Sequence, residues 1–165
     1  MSRRNRELTS YEVAIIGWIL ASDPGTVVIV ADSDGPRPPG EYTMVEVTAY
    51  SDSGSIQKRV IDEAYLGKCR GEIKQESVGV VDVQTFGKTA GSRLGCLKMS
   101  YGLPSIREVL NASGLSIRSS TDSLNLSAIE GTRTVPRFST SFQFGWALAI
   151  DYAADVIDTL EIQEI

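Results

Sequence analysis

Phe138-Ser139-Thr140-Ser141-Phe142-Gln143-Phe144-Gly145-Trp146-Ala147-Leu148-Ala149-Ile150 decides the fold. Its even positions carry Phe138, Thr140, Phe142, Phe144, Trp146, Leu148 and Ile150, while its odd positions are small or polar. This period of two marks a strand with one apolar face. At about 3.3 Å per residue it spans roughly 40 Å, twice a usual strand. Either Gly145 bends it, or it projects beyond its own sheet. A chain of 165 residues has little core to cover so long an aromatic face, which leaves two readings: a core strand of one sheet, the plainer one, or a strand part of whose face meets a neighbouring subunit or the edge of another sheet.

Working toward the N-terminus, Thr9-Ser10-Tyr11-Glu12 is a capping box, and Leu8 with Val13 has the spacing of a hydrophobic staple. A helix therefore starts near Ser10, preceded by a flexible segment over residues 1–8. From Tyr11 to Ala21 only Glu12 and Gly17 interrupt apolar residues. Such a helix is either buried or shared between core and subunit contact, being too short to cross a bilayer. Asp23-Pro24-Gly25 ends it, and Thr26 to Ala31 reads as a β-branched strand. Asp32 to Gly40 holds three closely spaced prolines that stiffen the approach to a strand over Tyr42 to Tyr50. Ser51 to Gly71 reads as a long connection or hairpin tip, within which Ile56 to Leu66 fits a strand or a short helix equally well.

Glu72 to Phe86 is again strand-like, and Gly87 closes it ahead of a helix with Ala90, Leu94, Leu97 and Tyr101 at helical spacing. A shorter helix is expected over Leu103 to Ala112, with Ser105 and Glu108 as a capping box and Gly114 as its C-terminal glycine. Leu115 to Ile129 suggests one or two modest strands, Glu130-Gly131-Thr132 a turn, and Val156 to Ile162 a last strand after a break at Asp151 to Asp155. No internal repeat or linker divides the chain. The expected fold is a single α+β domain over 1–165, a mostly antiparallel twisted sheet with two or three helices packed on it.

Composition removes several chemistries. The chain has no histidine, which takes away the usual general base, the Ser-His and Cys-His nucleophile pairs and the commonest metal ligand. Cys69 and Cys96 lack the spacing of a metal or redox motif and are expected to be reduced and at least partly buried. No catalytic residue, cofactor or metal is assigned. A net charge of −5 gives no field for nucleic acid or an anionic membrane, and Arg3, Arg4 and Arg6 read as a solvated tail. No secretory leader is visible, so assembly in a cytoplasm is expected. Gly87-Lys88-Thr89 lies where a phosphate-binding loop would place such residues, but that motif needs glycine at position 82, which is Asp82.

The order of elements, with Pro36-Arg37-Pro38-Pro39-Gly40-Glu41-Tyr42 entering a strand, Val83-Gln84-Thr85-Phe86-Gly87-Lys88-Thr89-Ala90 joining strand to helix, and Glu130-Gly131-Thr132-Arg133 before the long strand, resembles the tail-terminator or neck-terminator proteins of tailed bacteriophages. The resemblance covers roughly Tyr11 to Ile162. It implies a structural virion protein, not an enzyme, that forms a hexameric ring between tail tube protein and head connector, where the stopper or head-completion protein docks. It also implies that DNA passes through the lumen without being held. Candidate subunit contacts are Tyr11, Ile15, Trp18 and Ile19 on the first helix and Phe142, Phe144 and Trp146 on the long strand. The rival readings are another neck, head-completion or tail-tube component, or a small α+β ligand-binding module built around carboxylates.

Overall fold

The computed structural model describes residues 8–31, 37–51, 56–63, 68–130 and 133–154, with side chains described outside 52–72, 128–133 and 148–154. In chain order the elements are α1 (Ser10–Ser22), β1 (Val27–Val30), β2 (Tyr42–Ser51), β3 (Ile56–Glu63), β4 (Lys68–Phe86), α2 (Ala90–Ser100), α3 (Pro104–Ala112), β5 (Leu115–Ser120), β6 (Leu124–Asn125), β7 (Ala128–Glu130), β8 (Arg133–Val135) and β9 (Arg137–Ala154). Seven strands form one sheet in the order β1-β2-β4-β9-β5, with β3 also on β4 and β6 also on β9, while β7 and β8 form a separate pair. Within these sheets only β1 and β2 pair in parallel. The expected α+β fold, a mostly antiparallel sheet carrying three helices, is what the chain adopts.

β4 and β9 form the spine. They are 19 and 18 residues long and pair without a register break from Phe86↔Arg137 to Cys69↔Ala154. The alternation read over Phe138 to Ile150 thus belongs to a strand that runs on through Asp151. The expected break there does not occur, because β4 continues to supply a hydrogen-bonding partner. The further strand expected over Val156 to Ile162 lies outside the described residues, as do the N-terminal segment 1–7, Pro36 and the Gly131-Thr132 turn.

Register explains the core. Val81, Val83 and Thr85 of β4 lie opposite Phe142, Thr140 and Phe138 of β9, and all but half-buried Phe138 are buried on the face that the helices cover. Helix α1 begins at the capping box, where the Glu12 carboxylate accepts from Thr9 N at 2.8 Å and the Glu12 amide donates to Thr9 Oγ1. It lays Ala14, Ile15, Trp18 and Ile19 on the sheet. The Trp18 ring meets Phe142 edge-on at 4.9 Å, and its Nε1 donates to Ser100 Oγ at 3.0 Å, so the buried indole N–H has a partner. In α2 the inward residues are Ala90, Leu94 and Leu97, as their spacing indicates. Helix α3 starts with Pro104 at its first position and has no side-chain cap, so Ser105 does not form the expected capping box. The fixed φ of Pro104 starts the helix at that residue, so Ser105 already lies inside the first turn and cannot stand as the N-cap. Cys96 is exposed on α2, against the expectation of partial burial.

One close approach is demanding. Gly79 sits opposite Phe144, and a Cβ there would come within 2.3 Å of the Phe144 ring and 2.9 Å of the Ala49 carbonyl oxygen. Since β2 closes one side and the core the other, Gly79→Ala is expected to cost about 1–3 kcal/mol. Urea unfolding should show a lower midpoint with an unchanged slope.

Candidate assembly surface

Beyond Val78, β4 loses its partner β2, whose register ends at Ser51↔Val78, and β9 loses β5 beyond Leu115↔Trp146. From there β4 and β9 continue together and β3 joins the far edge of β4 from Ile56↔Gln75 to Glu63↔Lys68. The result is a three-stranded antiparallel arm. Eight residues of β3 give it a length of roughly 26 Å. Among the described residues, the extensive contacts of β3 are with β4 alone, and the helices contact the body of the sheet. A ribbon with no helix against it is a poor core and a ready contact surface.

The root of the arm is aromatic. Half-buried Tyr11 stacks on Tyr50 at 4.9 Å and on Phe144 at 5.9 Å, and meets Trp146 edge-on at 6.4 Å. The extra residue Thr48 makes this cluster possible, because the register shift between Val47 and Ala49 brings Tyr50 opposite Gly79. Beside it lies an open cavity of about 240 Å³ lined by Asn111, Leu115, Ser116, Gly145, Trp146 and Glu76. Glu76 is its one carboxylate and is engaged by Arg118, so this cavity does not bring together the pair of acids that a carboxylate-based site would need.

The outer face of α1 is also apolar. Val13 is 55% exposed and Leu20 41%, Gly17 opens onto space, and no charged residue follows Glu12 within the helix. A helix bordering water normally carries charges on that face. Of the seven side chains expected to make subunit contacts, Ile15, Trp18, Ile19, Phe142 and Phe144 are enclosed by the chain itself, and Tyr11 and Trp146 are half-buried at the arm root. The first five fill the core because three helices, rather than a neighbour, cover the aromatic face. Val13 and Leu20, on the same helix, are the exposed residues that the expectation missed. Val13, Gly17 and Leu20 lie at i, i+4 and i+7, on the face opposite the buried Ala14, Ile15, Trp18 and Ile19, and that spacing is the signal: the helix is apolar all round, so whatever is not inside must be outside.

The Gly87-Lys88-Thr89 turn is occupied from within. Glu41 accepts from the Thr89 amide at 3.0 Å and from the Thr89 hydroxyl at 2.8 Å, placing a carboxylate at the N-terminus of α2. Those two hydrogen bonds, helped by the charge of Arg93 and the Lys88 amide, hold the Glu41 pKa below its ordinary value. A carboxyl with a lowered folded pKa stabilises the protein above its unfolded pKa of about 4.3, and that contribution is lost as pH falls through the lower folded value. The melting temperatures of the parent chain and Glu41→Gln should therefore differ most near pH 7 and converge below about pH 4. A constant difference down to pH 3 would show that the charge is irrelevant.

Among the described residues, no helix is long and apolar enough to cross a membrane, and no three Cys, Asp or Glu residues gather as metal ligands would. A family model described as "Phage neck terminator protein" matches residues 9–165. No curated protein matches the chain.

Proposed function

Because the chain belongs to the phage neck terminator protein family, we propose that six copies of it form a ring that caps the tail tube and joins it to the head connector. Membership makes the protein a structural component of the phage neck and places it in the virion. The ring would meet a tail tube protein on one side and a stopper or head-completion protein on the other, after assembly in the host cytoplasm. The arm formed by β3, β4 and β9 supports this reading most directly, since it exceeds what a small domain needs for its own core. The uncharged outer face of α1 and the aromatic arm root with Tyr11 and Trp146 supply further contact surface. A net charge of −5 suits a lumen that lets DNA pass, because retention of phosphates requires clustered Lys and Arg.

Electron microscopy of purified tail tubes incubated with this protein tests the capping role. One ring is expected at a single end of each tube, with no further tube growth at that end when tube subunits are added. Tubes that stay bare and keep growing would overturn it.

A further inference from the structure

The arm has two open edges. Among the described residues, β3 pairs only with β4, and β9 from Leu148 to Ala154 pairs only with β4. Both edge strands are antiparallel to β4 and so run parallel to each other. They also lie level: Gln75 sits between Ile56 and Leu148, Ile73 between Lys58 and Ile150, and Gly71 between Val60 and Tyr152. On the alternate positions Lys74 sits between Gln57 and Ala149, and Glu72 between Arg59 and Asp151. Edges that are parallel and level can be joined, copy to copy, by rotation about an axis along the arm, which is the condition for a ring that closes rather than a filament.

Resting on the ring reading above, we propose that β9 of one copy pairs in parallel with β3 of the next, making the arms one continuous sheet in which Asp151 neighbours Arg59 of the next copy. The chemistry of the two edges agrees with this seam. On one face it sets Leu148 level with Ile56, Ile150 with Lys58, and Tyr152 with Val60. On the other it sets Ala149 level with Gln57, and Asp151 level with Arg59. No like-charge pair arises across the seam from Ile56 to Asp62. Asp151 is in register with Glu72 on β4, and like charges directly opposite destabilise a sheet. The seam sets a cationic residue, Arg59 of the next copy, at the register position on the other side of Asp151. Neither edge contains proline, and neither has a break in its register with β4, so both present an unbroken row of backbone donors and acceptors, which proteins seldom leave bare.

Cysteine pairing reads the seam directly. With Cys69→Ser and Cys96→Ser in place, Gln57→Cys and Ala149→Cys lie two strands apart within one arm, about 9.6 Å and too far for a disulfide. Across the seam they are adjacent strands, about 4.8 Å apart. Oxidation should give a ladder of covalent multimers ending at the ring size on a denaturing gel. A native ring that yields no ladder overturns the seam while leaving the ring; a monomeric native mass overturns the ring reading itself. Charge exchange gives a second readout. Arg59→Asp should weaken assembly about tenfold or more, and adding Asp151→Arg should restore it, whereas a double variant no better than the single one overturns the pairing.

Discussion

Phe144→Asp is expected to yield a chain with no cooperative unfolding transition. Phe144 is fully enclosed, stacked on Tyr11 and pressed against Gly79. Loss of a buried phenylalanine alone costs about 3–5 kcal/mol. A carboxylate in its place must be desolvated, or protonated at further cost. Together these reach the whole stability of a typical domain, about 5–15 kcal/mol. Near-ultraviolet circular dichroism of the variant should be featureless. The same substitution at half-buried Trp146 should leave a folded chain, since an aspartate there can reach solvent through the open cavity that Trp146 lines. A Phe144→Asp chain with a native near-ultraviolet spectrum would place that ring outside the core and overturn the packing described above.

On the outer face of α1 the expected effect is on assembly. Val13→Asp and Leu20→Asp alter residues 55% and 41% exposed, so melting temperature should change by no more than a few degrees. In a ring that uses this face, each buries a charge at an apolar contact and should weaken association roughly thirtyfold, as loss of a contact hot spot of about 2 kcal/mol does. Sedimentation beside a thermal melt separates the two effects. Variants that melt like the parent and assemble like it would remove α1 from the interface.

Local chemistry made much of this fold readable in advance. The Thr9 to Glu12 capping box, the strand-Gly87-helix unit and the alternation of Phe138 to Ile150 are set by neighbours a few residues apart. What could not be read depends on distant partners. Glu41 caps a helix 48 residues away, and β3 is a strand because β4 offers an edge, whereas its own residues fit a short helix as well. Alternation also identified the apolar face of β9 without revealing its cover. For that reason Phe142 and Phe144 were expected at a subunit contact although α1 and its aromatic residues enclose them. The strand was expected to end at Ile150, although Asp151 and Tyr152 keep its alternation of polar and apolar positions; backbone pairing with Glu72 carries it past Asp151.

The native mass of the purified protein across a concentration series, with and without tail tubes, tests the ring most directly. A hexamer is expected, either alone or on addition of tubes. A monomer indifferent to both concentration and tubes would contradict a ring-forming neck subunit.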